Sequence, residues 1–486
     1  MKAKWLPISA AVALALGSVS ASAVDFHGYF RAGLNYSDQG GSSYCYGNGG
    51  SVGHLLGRLG DECDTYAEIS LSQEVFNKAD NKFTVHTLVA YGTNEAGAGQ
   101  PQYDYQGNAA QWNGKLGDRN GWNGQGGWTG QHLSLREAWT GYEMPSGIQL
   151  WAGKRFYQRK DIHIMDYYYL NNSGYGVGVE NIDAGLGSVS VALIKHQIDQ
   201  GHKDKDSGAI VEDTPINSYI ADLRWNGVPL WTDASLDVAL LYGWSNLSQA
   251  QKDKDLKMNN GFLALVEWTQ GNFFGGFNKL SFTYGHDSLD YVGSLAVGGN
   301  HAGDFLIPYA EKGNGYRFID WGVIEQPSWN LGYALIATHK NAFDENGTEG
   351  GANWSHPTGN DYTFVVRPSY KWSDFTSTVL EFGYTNIAAT NFHGYWTNDE
   401  FTPYDGKYGV TRGWNTDPNG HKARSRLSAT KLTIAQQWTP GSHFWARPSI
   451  RIFASWLSGD FMNKVNTGIA DQNHEFVLGG QVEAWW

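Results

Sequence analysis

The chain ends in EFVLGGQVEAWW, residues 475–486, and the side chains at even and odd positions of this stretch differ in polarity. The even-numbered residues from Phe476 to Trp486 are all apolar. The intervening, odd-numbered positions run from Glu475 to Trp485. Those intervening positions carry every charge and amide of the stretch: Glu475, Gln481 and Glu483. Because successive side chains of a β-strand point to opposite faces, the pattern predicts a strand with one face on lipid and one on water. A charge on the lipid face is destabilising, by about 2–4 kcal/mol for an arginine or lysine at mid-membrane.

Four other segments show the same alternation, and in each of them an aromatic residue is predicted to lie on the same face of the strand as charged residues. The pairings are Tyr29 with Arg31, Tyr66 with Glu68, Phe277 with Lys279, and Trp445 with Arg447 and Arg451. A pyranose ring has an apolar face and a rim of hydroxyls, so it suits an aromatic plane beside charged hydrogen-bonding groups. One such residue could equally fill a gap in the barrel wall. Together with Trp485, however, the set favours a path for sugars.

The composition favours strands and turns over helices. Gly (62), Tyr (27), Phe (22) and Trp (21) are abundant, and Met (5) is scarce. Polar stretches at about 88–130, 198–216, 340–360 and 391–428 are predicted to be long extracellular loops, with short turns at the periplasmic end. The sequence therefore predicts an all-β protein, a transmembrane antiparallel β-barrel of roughly 16–18 strands that is wide enough for an aqueous channel.

The N-terminal residues 1–23 are predicted to be a secretory signal peptide, with Lys2 and Lys4 before an apolar run and the small residues Ala21, Ser22 and Ala23 at the cleavage site. Residues 24–486 would then form a single barrel domain. The apolar run is too short for a membrane-spanning helix, which needs roughly 20 residues.

Cys45 and Cys63 are the two cysteines of the chain, and an oxidising periplasm would allow them to form a disulfide. Two lone cysteines lack the ligands of a zinc site, and the 15 histidines show no metal-ligand spacing. The sequence thus predicts no metal and no cofactor. A net charge of −13 argues against a nucleic-acid partner, which requires a basic surface.

Several motifs resemble those of the maltoporin family, trimeric 18-stranded sugar-specific porins of the Gram-negative outer membrane. The most specific is WAGKRFYQR at residues 151–159, which continues to DYYY at 166–169 and ENID at 180–183. Further matching stretches lie at 24–29, 58–68, 276–279, 367–368, 435–438, 445–448 and 485–486. The resemblance covers nearly all of the chain after residue 23, and it predicts a close relative of the type member of that family.

The resemblance also implies roles for individual residues. The family's row of channel aromatics, its greasy slide, would be Tyr29, Tyr66, Phe277, Trp445 and Trp485. A further slide tryptophan would come from a loop of the neighbouring subunit, with Trp112, Trp122 and Trp128 as candidates. The family's polar track would be Arg31, Arg58, Glu68, Arg136, Arg159, Asp161 and Asp166. Tyr168 would narrow the channel on an infolded loop, and Asn171 stands where the family has a carboxylate.

By this resemblance the protein would be a homotrimer in outer-membrane lipid that lets maltose and maltodextrins diffuse through it. A porin for sucrose or aryl-glucosides and a general porin remain open as alternatives. An enzyme is disfavoured: a glycosidase would need a carboxyl group with a raised pKa. Here the candidate carboxylates lie among arginines, which are expected to lower their pKa values.

Overall fold

A computed structural model describes residues 24–40, 54–62, 64–94, 132–198, 201–203, 210–212, 216–253, 259–293, 295, 312–343, 359–388, 395–397, 400–402, 426–459 and 474–486. They form a closed antiparallel barrel of 18 strands. This confirms the predicted fold class and the strand count that the resemblance implied.

The barrel strands follow one another along the chain. They are β1 (Asp25–Ser37), β2 (Asp64–Lys78), β3 (Asn81–Asn94), β4 (His132–Glu143), β5 (Gln149–Arg155), β8 (Gly174–Asp183), β9 (Ser188–Ile198), β12 (Ile216–Pro229), β13 (Ala234–Asn246), β14 (Gly261–Phe273), β15 (Gly276–Asp287), β16 (Lys312–Glu325), β17 (Trp329–Phe343), β18 (Gly359–Lys371), β19 (Thr376–Ala388), β22 (Arg426–Trp438), β23 (Ser449–Gly459) and β24 (His474–Trp485).

The remaining elements are short and belong to the connections. Three hairpins consist of β6 (Lys160–Ile162) with β7 (Tyr167–Leu170), β10 (Gly201–Lys203) with β11 (Ile210–Glu212), and β20 (Tyr395–Thr397) with β21 (Glu400–Thr402). The connections also contain a helix at Gln249–Asp253 and 3₁₀ turns at His163–Met165 and Asp290–Gly293. Among the described residues, no helix is long and apolar enough to cross a bilayer.

The barrel closes where its first and last strands pair. Tyr29 lies opposite Trp485, and Ser37 lies opposite Val477. Closure leaves no exposed edge strand, so backbone groups at membrane depth find partners within the sheet. Short turns such as 79–80 and 274–275 lie at the same end as the chain termini, which is the periplasmic end by the general asymmetry of outer-membrane barrels.

The predicted loop at 88–130 begins later than expected, because β3 continues to Asn94. Within that extension Val89 is 39% exposed whereas Leu88 and Ala90 are buried, so the alternation of the strand persists. Apolar side chains cover the outer surface of the barrel: Leu34 is 70% exposed and Ile452 is 62% exposed.

Three inward segments fill part of the lumen, and the sequence predicted one of them. The predicted one is the infolded loop at 156–173, and the others are residues 54–62 and the 3₁₀ turn with its flanking residues, 288–293 and 295. They pack as one apolar cluster against the wall: Leu55, Leu59, Ile164, Tyr167, Leu241, Leu263, Leu289, Tyr291, Ile319 and Ile336 are among its buried members. The inward segments narrow the channel on the side of β12–β19.

Candidate functional site

Arg58 is the centre of a buried group of charges that joins an inward segment to the barrel wall. Its guanidinium donates to the Tyr29 hydroxyl at 2.5 Å and to the Glu62 carboxylate. It also lies 3.1 Å from the Glu483 carboxylate, which accepts a hydrogen bond from the Tyr29 hydroxyl at 3.3 Å. Tyr29 and Glu483 are close because β1 and β24 are paired, so closure of the barrel assembles this group.

Two aromatic rings and a guanidinium form a continuous surface next to Arg58. The ring centroids of Tyr29 and Tyr66 are 6.1 Å apart, and the Arg31 guanidinium lies 5.3 Å from the Tyr66 ring. The Tyr66 hydroxyl donates to Glu68, and Arg31 donates to Asp166 at 3.2 Å. Aromatic planes and charged hydrogen-bonding groups thus lie side by side here.

Both predicted tryptophans contact one histidine that the sequence analysis missed. The His163 ring lies 5.3 Å from Trp485, edge to face, and 5.5 Å from Trp445. Its Nε2 atom is 3.4 Å from the Glu483 carboxylate. The Arg447 guanidinium stacks on Trp485 at 4.3 Å. The sequence indicated only the partners around this histidine. Glu483 lies two residues before Trp485, and Arg447 lies two residues after Trp445, so the alternation predicts that each shares a strand face with its tryptophan.

The infolded loop presents a stack of cations on aromatic rings. The Arg159 guanidinium lies 3.6 Å from the Phe156 ring and 4.8 Å from the Tyr168 ring, and the Arg136 guanidinium lies 5.4 Å from Phe156. The Asn171 side chain accepts a hydrogen bond from the nearby Ser173 hydroxyl at 2.6 Å.

Ion pairs and hydrogen bonds fasten this loop to the barrel strands β13, β14 and β16. Lys160 pairs with Asp237 at 2.6 Å and with Glu267 at 2.9 Å. Arg317 donates to the Tyr167 hydroxyl at 3.2 Å and to the carbonyl of Tyr169. The loop is therefore held across the lumen from both sides.

The surroundings shift the pKa values of the two predicted carboxylates of the infolded loop in opposite directions. Burial alone would raise the pKa of Asp166, but the guanidinium groups of Arg58 and Arg31 outweigh burial and hold it well below its usual range. For Asp161, burial outweighs the cations and raises the pKa. The expectation that arginines lower both values is therefore right for Asp166 and wrong for Asp161, because desolvation dominates there.

Phe277 lies apart from the other four predicted slide residues. It is the second residue of β15, at the periplasmic end, and its ring meets Trp321 edge to face at 5.0 Å. Residues 1–23, Cys45, Cys63, Trp112, Trp122 and Trp128 lie outside the described residues.

The model of the LamB porin family matches residues 24–486. The chain belongs to this family. Among solved structures, this LamB porin is similar to OccK1 (OpdK) of Pseudomonas aeruginosa, at 9% identity and a TM-score of 0.44, over 95% of this chain and 99% of that chain. It is also similar to OccAB1 of Acinetobacter baumannii, at 10% identity and a TM-score of 0.47, over 95% of this chain and 96% of that chain.

These findings correct one prediction. The expected close relationship to maltoporin itself, the type member, is wrong: the match supports membership at the level of the LamB porin family alone. As a LamB porin with a closed 18-stranded barrel, this protein is an outer-membrane channel of a Gram-negative bacterium and not an enzyme.

Proposed function

We propose that the channel carries maltose and maltodextrins by facilitated diffusion, along a path formed by Tyr66, Tyr29, Trp485 and Trp445. The observation that supports this proposal is the juxtaposition of these rings with a row of guanidinium and carboxylate groups. The rings of Tyr66 and Tyr29 are neighbours, and both tryptophans contact His163.

The charged groups along this path suit a channel better than a tight binding site. Arg58 and Arg31 already pair with protein carboxylates, at 3.1 Å to Glu483 and 3.2 Å to Asp166. A sugar hydroxyl would exchange with these partners rather than satisfy an empty site. Each position would therefore bind the sugar weakly enough to release it to the next, as conduction requires.

Three further parts of the proposal concern processing and assembly. Residues 1–23 would be removed as a signal peptide, Cys45 and Cys63 would form a disulfide in the periplasm, and three copies would associate in the membrane. One of Trp112, Trp122 and Trp128 would then begin the slide of a neighbouring subunit.

Single-channel recording tests the preferred sugar. We expect maltotriose to block the ion current through the purified protein at lower concentrations than sucrose does. Stronger block by sucrose would assign the channel to the alternative class of disaccharides, for which Asn171 in place of a carboxylate is a candidate cause. Undisturbed current at millimolar concentrations of both sugars would indicate a general porin.

The two terminal tryptophans should respond differently to replacement. Trp485→Ala should weaken maltodextrin block about fivefold, because an aromatic contact of this kind is worth about 1 kcal/mol. Trp486 is 48% exposed and contacts Phe26 at 5.5 Å and Phe30 at 6.2 Å on the outer surface. Trp486→Ala should therefore leave sugar block unchanged. The reverse result, in current-block titrations of the two folded variants, would mean that their faces are exchanged.

A further inference from the structure

A pocket at the periplasmic end of the lumen is partly open to solvent. It lies between the turn at 439–448 and the inner faces of β17, β18, β19, β22 and β23. Arginines and hydroxyl-bearing residues dominate the lining, and no aspartate or glutamate is among the residues that line it. Its lining includes Asn330, Arg367, Ser369, Ser377, Phe444, Arg447 and Arg451.

Two of the pocket arginines share one carboxylate with a third arginine. Arg447 lies 2.7 Å from Glu483, and Arg451 lies 3.4 Å from the same carboxylate oxygen. Arg58 approaches the other oxygen of Glu483 at 3.1 Å. Three guanidinium groups therefore pair with one negative charge. Among these three arginines, Arg58 also has a second carboxylate partner, Glu62.

The third pocket arginine also shares its carboxylate. Arg367 donates to Glu381 at 2.6 Å, and the Lys431 ammonium lies 3.0 Å from the other oxygen of Glu381. Burial, reinforced by the charges of Arg367 and Arg58, lowers the pKa of Arg447 despite its pairing with Glu483. The pocket therefore has a surplus of positive charge, and such a surface attracts anions.

One buried acceptor suggests that the occupant also carries hydroxyl groups. Asn330 is 3% exposed, and its Nδ2 donates to the carbonyl of Ser442 at 3.2 Å, which orients the amide. Within the described part of the chain, its buried Oδ1 accepts no hydrogen bond. A fully deprotonated anion cannot donate to this oxygen, whereas a sugar hydroxyl can.

The pocket adjoins the proposed sugar path. Phe444 lines the pocket, and its ring meets the Trp445 ring at 4.9 Å. Arg447 lines the pocket as well, and it stacks on Trp485 at 4.3 Å. A sugar ring lying on either tryptophan would therefore have a substituent within reach of the arginines.

We infer that this pocket binds the anionic group of an acidic saccharide, a phosphate or carboxylate substituent, while the sugar ring lies on Trp445 or Trp485. The inference rests on the proposed sugar path and extends its substrates from neutral glucans to phosphorylated or carboxylated ones. Charge-assisted hydrogen bonds from guanidinium groups to oxyanions supply the selectivity.

Current block in planar bilayers tests the pocket with maltose and maltose 6′-phosphate, each added to the periplasmic side. We expect the phosphorylated sugar to block the wild-type channel about tenfold more tightly, as one net charge-assisted hydrogen bond would give. Ser377 is half-buried and pairs in register with Gln437, which accepts a hydrogen bond from Arg451 at 2.7 Å. Ser377→Asp should therefore abolish the advantage of the phosphorylated sugar. The near-isosteric Ser377→Asn should keep it.

Equal block by the two sugars in wild type, or an advantage that survives Ser377→Asp, would overturn the inference. Inorganic phosphate that reproduces the block alone would assign the pocket to free anions and overturn the saccharide assignment. Ser369→Asp with Ser369→Asn replaces the pair if Ser377→Asp does not fold.

If neither sugar blocks the wild-type channel, the proposed function fails, but the charge of the pocket can still be tested. The reversal potential in a KCl gradient should then shift towards cation selectivity in Ser377→Asp relative to Ser377→Asn. The absence of a shift would overturn the inference by itself.

Discussion

Replacement of Glu483 by glutamine should destabilise the barrel by about 3 kcal/mol, because loss of one partner of a buried ion pair leaves the other charge uncompensated. Glu483 is 2% exposed and lies within 3.4 Å of atoms of Arg58, Arg447, Arg451 and His163. Glutamine keeps the size of the side chain and removes its charge. The free energy of unfolding, measured by urea titration of the protein in lipid vesicles, checks this expectation.

Glu143→Gln is the matched control, since it removes a carboxylate that pairs with Lys82 at 3.0 Å near the surface. The two side chains of that pair are 42% and 34% exposed. An exposed pair contributes about 0–1 kcal/mol, so the control variant should unfold almost like wild type. Equal destabilisation by both substitutions would mean that the buried arginine cluster does not depend on Glu483.

Replacement of Tyr168 by alanine should raise the single-channel conductance severalfold and weaken discrimination between sugars. Tyr168 lies on the infolded loop, which is fastened to both sides of the barrel, so the loop should keep its position when one ring is removed. The widened passage would then conduct ions faster while offering a sugar one contact fewer.

Tyr168→Phe is the control for this prediction, because it keeps the ring and the stacking of Arg159 at 4.8 Å and removes the hydroxyl. Its conductance should equal that of wild type. An alanine variant with unchanged conductance would place the narrowest point of the channel elsewhere.

The strands could be predicted from the sequence because their signal is local. Alternation over a dozen residues, as in 475–486, reflects the two environments of one strand, and the structure indeed has Glu475 fully buried and Phe476 40% exposed. The alternation shows which face of its strand a residue lies on, but not where around the barrel that strand lies. For that reason Phe277 has the same parity signal as Tyr29 and yet lies apart from it, beside Trp321.

The inward segment 54–62 could not be predicted from local patterns. It is held by contacts with strands far away in the chain: the Leu59 amide donates to Glu381, and Lys431 donates to the carbonyls of Gly57 and Leu59. His163 was missed for the same reason, since its ring contacts are with Trp445 and Trp485.

The motifs of the infolded loop predicted the family correctly. The close relationship to the type member that they also predicted was wrong. Several of the motif residues hold the infolded loop together and fasten it to the barrel wall, for example Arg159 against Tyr168 and Lys160 against Asp237. Such residues are expected wherever the family's architecture is kept, whichever substrate passes. The substrate must therefore be determined by direct measurement.

The dependence of current block on sugar length tests the central claim, a continuous path of aromatic rings with charged groups beside it, most directly. Titration of the wild-type channel with maltose through maltohexaose should give a dissociation constant that falls as rings are added and then levels off when the path is filled. Block that is absent, or equally weak for maltose and maltohexaose, would contradict a path that holds several sugar rings at once.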